Sequence, residues 1–375
     1  MCENRTMSDD RVWAEIGERV RESRLAAELS QGQLADRVGL ERSKIAKIEA
    51  GSRQINAVEL SKLAAALGMP IGHFLFPQPE VISRRTPLVD DTDTQTARIS
   101  YRIESALSSW LRDVHDAIGF GMERPATRHY AGPVETADDA RAAAQWLRRE
   151  LGLDVEPIAT MMAVCEKAGQ LVLVVDVPGE GASLIEDDLA VAVVSKDGDP
   201  GRRRATAAHE LGHMVLGDEY SSDLGGGVAA ARSEREAVID AFAAELLLPT
   251  QAVRQHDPEA AELRTALVGL AARYRTSWTL TIRQAEVAGL IDRQGAATLR
   301  SGPTPTHAEM MQAVGWTPLP DFERIRVPPS YADAVLRAWR GDLITAARAV
   351  EMMHGQISAQ DLGLVDERPW SPELA

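Results

Sequence analysis

The sequence predicts a mainly α protein, with a run of short helices at its N-terminus and a small α+β unit over 138–255. Two observations carry that reading. Apolar residues recur at three- and four-residue intervals through most of the 375 positions, the spacing of a buried helix stripe. Against that background only 171–175 (Leu-Val-Leu-Val-Val) and 189–194 (Leu-Ala-Val-Ala-Val-Val) are continuous, β-branched runs of strand length. A chain of this length has room for two or three domains, and breaks in composition divide it into 11–76, 77–137, 138–255, 256–300 and 301–375.

Residues 11–76 read as a compact run of short helices. Ser30 suits an N-cap; Leu34, Ala35 and Val38 then form one apolar stripe, which Gly39 ends in a tight turn. A second short helix begins near Arg42. Its Ile45 and Ile48 face inward, leaving Arg42, Ser43, Lys44 and Lys47 outward. Leu60, Leu63, Ala64 and Leu67 repeat the pattern before Gly68. This is the layout in which the second of two helices enters a DNA major groove by its N-terminus. Charge agrees locally. The net charge of −15 argues against nucleic acid contact over the whole surface, but 11–76 holds ten Lys and Arg against eight Asp and Glu.

Residues 77–100 are polar and breaker-rich, the composition of a linker. Over 101–120, Ile103, Leu107, Trp110, Leu111, Val114 and Ile118 define an amphipathic helix that packs on a neighbouring core or pairs with a second chain. From 138 the pattern is mixed. A helix over 140–151 and another over 157–168 precede the two strands, and a third starts near Arg203. The glycine run 225–227 leads to a helix over about 233–248, ended by Pro249; a helical extension over 256–300 and two or three helices beyond 301 complete the chain. No run of about eighteen apolar residues predicts a membrane span. Cys2 and Cys165 offer no disulfide framework, and the first residues lack a secretory pattern, so a cytoplasmic protein is expected.

The chemistry concentrates at Ala208-His209-Glu210-Leu211-Gly212-His213. Imidazoles four residues apart on a helix are offset by about 40° and aim at one spot, with Glu210 beside any water that a metal there would bind. On the hexapeptide alone, a His pair packed in a core competes with this. A catalytic metal needs a third protein ligand and one open position. A His six residues past the second is ruled out, since Glu219 stands there and Leu216 replaces the accompanying Gly. The next helix does better. Glu236, Asp240, Ala243 and Leu247 fall on one stripe flanked by Ile239 and Leu246, with Glu234 and Glu245 on the opposite, wet face. Carboxylates on an apolar stripe are costly to bury without a cation or a donor. A metal accounts for Glu236, and a ring N–H of His209 or His213 accounts for Asp240.

Two resemblances follow from these residues. Ser30-Gln31-x-x-Leu34-Ala35 and Ile45-x-x-Ile48-Glu49-x-Gly51 are similar to XRE/Cro-type helix-turn-helix proteins over about sixty residues. That implies a repressor-like five-helix domain, a double-stranded DNA operator and a homodimer on paired half-sites. It also implies base or phosphate contacts from Gln31, Arg42, Ser43, Lys44 and Lys47. The run from Arg204 to His213, with Glu236-x-x-x-Asp240-Ala241-Phe242-Ala243-x-x-Leu246-Leu247-x-Pro249, resembles the ImmA/IrrE-type metallopeptidases over about 140–255. Ile239 departs from the Ala common in that helix. This resemblance implies a zincin-like domain with Zn2+ on His209, His213 and Glu236, Asp240 behind the ligands and Glu210 as catalytic base. Its substrate would be a repressor-type protein, or the chain itself, cleaved to control gene expression. Tyr220, His256 and Tyr274 are candidates for an extra oxyanion donor, Tyr274 reading better as core. The alternative expectation is a non-proteolytic transcription factor whose zincin-like domain is a sensor or protein-interaction scaffold.

Overall fold

The computed structural model describes residues 9–76, 83–84, 95–217, 228–256, 262–315 and 320–363. Cys2, Tyr220 and the glycine run 225–227 lie outside them. The first unit is α1 (Asp9–Ala26), α2 (Gln31–Val38), α3 (Arg42–Glu49), α4 (Ala57–Leu67) and α5 (Ile71–Leu75). Local signals set its ends. Ser30 Oγ accepts from the Gln33 amide at 3.2 Å while Gln33 Oε1 accepts from the Ser30 amide at 2.8 Å, and Asn56 and Glu59 repeat this box on α4. Ile16, Val20, Leu34, Ile45, Ile48, Leu63 and Phe74 fill the core. Gly51 turns the chain with φ +66°, and a Cβ there would lie 2.6 Å from Ala14 Cα, so α1 and the end of α3 meet backbone to backbone.

The central unit comprises β1 (Ser83–Arg84), α6 (Gln95–Gly119), α7 (Ala137–Glu150), α8 (Met161–Ala168), β2 (Gln170–Val175), β3 (Gly181–Glu186) and β4 (Leu189–Ser195). It continues with α9 (Pro200–Val215) and α10 (Val228–Leu247). The sheet runs β1-β3-β4-β2, with β2 and β4 parallel and the other pairs antiparallel. β2 and β4 are the expected runs. β3, with Gly181, Ser183 and Glu186 among its six residues, lacks the apolar continuity of its neighbours and owes its form to pairing with β4.

Alternation sorts the sheet into two faces. Val172, Val174, Ala190, Ala192 and Val194 pack with α7–α10. Leu171, Leu173, Val191, Val193 and Leu184 pack instead with α6, α16 (Pro329–Arg340) and α17 (Ala346–Met352). The amphipathic helix over 101–120 is therefore core to this sheet, and Trp110 Nε1 donates to Leu171 O at 2.9 Å. It also carries the first unit. Tyr101 OH lies 2.7 Å from His73 Nε2 and 3.0 Å from Ser23 Oγ, and Arg98 pairs with Glu28 at 2.8 Å.

Two expectations need correction. The helix expected from Pro157 starts at Met161, because arginines claim the backbone before it. Arg148 takes the carbonyls of Asp154 and Glu156, Arg204 that of Ile158 and Arg275 those of Ile158 and Ala159, while Asp321 accepts from the Met161 amide at 2.8 Å. Nor is Glu245 on a wet face. It is fully buried, accepting from Gln145, Gln284 and Thr250, because α7 and α13 (Trp278–Val287) cover that side of α10. The remaining helices are α11 (Thr250–Arg254), α12 (Leu263–Tyr274), α14 (Arg293–Ser301) and α15 (His307–Val314); α11–α14 pack around Leu267, Leu270, Trp278 and Ile282. Among the described residues no helix is long and apolar enough to cross a membrane.

Candidate metal centre and DNA-binding face

Asp199 caps α9 by accepting from the Gly201 amide at 2.8 Å, and Pro200 occupies the first turn, so the helix starts three residues before Arg203. Its position is locked by Arg204, which pairs with Asp321 at 2.7 Å with almost no exposure of either. Burial pulls the Arg204 guanidinium down to about 10. One turn on, His209 and His213 are buried with their Nε2 atoms 3.2 Å apart. α10 supplies the carboxylates. It approaches closely because position 212 is Gly: a Cβ there would sit 3.0 Å from both Ile239 Cγ2 and Phe242 Cδ1. Ile239, the departure from the family pattern, is thus a packing residue between the two helices.

Glu236 Oε2 lies 3.0 Å from His209 Nε2, and Asp240 Oδ1 lies 2.9 Å from His209 Nδ1. One ligand atom each from His209, His213 and Glu236 falls within a 4.8 Å span, the one such cluster among the described residues. The donor chemistry tests whether a cation belongs here. If Nδ1–H of His209 donates to Asp240, its Nε2 presents a lone pair to the lone pairs of Glu236 and His213. Three electron-rich atoms in a buried site repel unless a positive charge sits among them. Their 3.0 and 3.2 Å separations resemble the about 3.3 Å edge of a tetrahedron with arms of about 2.0–2.1 Å. The residues fit a small divalent ion.

Glu210, next to His209 on α9, has no exposed surface. Its Oε2 accepts from Ser183 Oγ on β3 at 2.7 Å, and its backbone carbonyl accepts from Gln170 Nε2 at 2.9 Å. Its Oε1 has no hydrogen-bond partner among the described residues. A buried carboxylate oxygen without a donor is expensive unless a water or substrate proton meets it. Of the three oxyanion candidates, Tyr220 is undescribed. Tyr274 is core and donates to Val155 O at 2.8 Å. His256 faces Ala252 O and a cavity whose lining includes no member of the metal cluster.

On the first unit, Arg42, Ser43 and Lys47 project from α3 into solvent, and Lys44 is half-buried. Gln31 behaves differently. Its Nε2 donates to Glu49 Oε2 at 2.9 Å, and Glu49 is itself buried against Arg24 at 2.5 and 3.0 Å. The network holds the start of α2 against the end of α3, fixing the angle between the two helices.

A helix-turn-helix domain model matches residues 15–73 and an IrrE N-terminal-like domain model matches residues 165–281. The uncharacterized transcriptional regulator in the ATPase CF(0) region of Rhodospirillum rubrum is 40% identical over 74 residues, which span 20% of this chain and 68% of that protein. The chain belongs to the XRE/Cro-type helix-turn-helix regulators and carries an ImmA/IrrE-type domain. ComR from Streptococcus suis covers 88% of this chain and 96% of its own at 12% identity, but a TM-score of 0.16 carries no argument. In this regulator, sequence reasoning missed Ser183 and Gln170. Both touch Glu210 from strands, one of which had no periodic signature, and a lone Ser in a short strand gives no signal of its partner.

Proposed function

We propose that this DNA-binding regulator is a zinc-dependent peptidase that cleaves a partner repressor, or its own chain, to control the genes its helix-turn-helix reads. The reading is carried by the convergence of His209, His213 and Glu236 within 4.8 Å, with an unpaired oxygen on the neighbouring Glu210. His209, His213 and Glu236 would hold the zinc, which when bound supplies a water acidified toward neutral pH. Glu210 Oε1 accepts the proton and returns it to the leaving amine. Ser183 ties down Oε2 and so keeps Oε1 oriented, while Asp240 sets the tautomer of His209. Arg42, Ser43, Lys44, Lys47 and Gln31 serve the operator, and a homodimer in the cytoplasm would set two α3 helices about one duplex turn apart.

A second reading, a non-proteolytic regulator whose metal domain is a sensor or scaffold, draws on one observation: Glu210 is fully buried. Glu210→Gln separates the two. The variant keeps its metal content and loses cleavage of a genomically adjacent repressor by about 10²–10⁴-fold. Cleavage and regulation equal to wild type would leave the sensor reading.

A further inference from the structure

β1 closes the sheet beyond β3. It is two residues long and comes from the segment that joins the DNA-reading helices to α6. Without it the outer side of β3 would present an open row of N–H and C=O groups. The register is specific: Ser83 lies opposite Ser183 and Arg84 opposite Ala182, antiparallel. Ser183 is the residue whose hydroxyl holds Glu210. Gly181, one step further, has its backbone so close to α9 that a Cβ would lie 2.6 Å from Thr206 Cγ2 and 3.5 Å from Glu210 Cγ. Ser83 and Arg84 thus lie along the stretch of β3 that touches the metal-motif helix.

We propose that the outer edge of β3 is the seat of an extended peptide beside the metal centre, and that Ser83–Arg84 fills that seat in the resting protein. A substrate segment must displace this tethered strand. An edge of this kind takes a peptide by main-chain hydrogen bonds and antiparallel addition, so it recognises extended conformation before sequence. The ladder that β1 makes is short, hence exchangeable. Its covalent attachment to the same chain compensates, since pairing within one chain is intramolecular and gains an effective concentration that a free peptide lacks. Because the same segment leads to the DNA-reading helices, the occupancy links the two functions along the chain. That a displacing peptide is then cut rests on the peptidase reading; the occupancy of the edge does not.

Two measurements test it on the full chain with Cys2→Ser. Directly opposed antiparallel residues have Cα atoms about 4.5–5.5 Å apart, within disulfide range. Under mild oxidation, Arg84→Cys with Ala182→Cys should form an intramolecular disulfide at least ten-fold faster than Arg84→Cys with Leu184→Cys, which is two residues out of register. In the second, Ser83→Pro with Arg84→Pro removes the backbone donors of β1. A fluorescein-labelled peptide with the sequence of residues 80–88 should bind that variant at least ten-fold tighter than wild type, with or without chelator. Equal cross-linking in the two cysteine pairs, or equal peptide affinity in the two proteins, overturns the proposal. If both results hold while Glu210→Gln behaves as wild type, the edge seats a peptide that is not cut, and only the peptidase reading falls.

Discussion

His73 joins the DNA-reading unit to the rest of the protein, and its environment makes that joint sensitive to acid. The ring is 1% exposed, with Nε2 at 2.7 Å from Tyr101 OH on α6 and 3.3 Å from Ser23 Oγ on α1. Burial, and secondarily the positive charges of Arg112 and Arg19, pull it from its ordinary 6.5 down to about 4. The folded value lies below the unfolded one. As pH falls through 6.5 the unfolded chain therefore binds the proton first, and stability drops until about pH 4, where the folded protein takes it too. The full interval, at 1.36 kcal/mol per pH unit, amounts to about 3 kcal/mol. Between pH 7.5 and 5.0 the portion lost is about 2 kcal/mol. Amide hydrogen exchange on α4, corrected for intrinsic rates, reads the stability of this unit. Wild type should lose about 2 kcal/mol more than His73→Gln over that range. Parallel pH profiles in the two proteins would refute the argument, because carboxylate titration is common to both.

Asp240→Asn should retain the fold and weaken metal affinity by about 10–100-fold in a chelator competition, since the carboxylate no longer fixes the His209 tautomer. An unchanged affinity would remove Asp240 from the site. Arg42→Ala should cost about 1–3 kcal/mol at a cognate operator with little effect on non-specific DNA, whereas Lys47→Ala should lower affinity across all sequences and reduce the salt slope by about one. An operator titration in which both variants match wild type would put the reading face elsewhere.

Much of the candidate site was legible because it is local. The four-residue spacing of His209 and His213, and of Glu236 and Asp240, is fixed by helix geometry whatever surrounds it. The N-cap at Ser30, the turn at Gly39 and the inward Ile45 and Ile48 are equally local, and α2 and α3 appear where the sequence puts them. Glu245 went wrong for the opposite reason. A helix wheel assigns one wet face, and α10 has neighbours on more than one side.

What the sequence by itself determined, then, is which residues can share a helix face: the histidine pair, the acidic pair and the outward row of α3. Tertiary structure alone decided what those faces meet. Gly212 lets α10 come within reach of the imidazoles, β3 exists through its pairing with β4, Ser183 holds Glu210, and segments separated by two hundred residues cover one sheet face. The physical reason is range. Backbone hydrogen bonding and side-chain period act within a few residues, whereas close packing and the satisfaction of buried polar groups depend on partners that only the folded chain brings together.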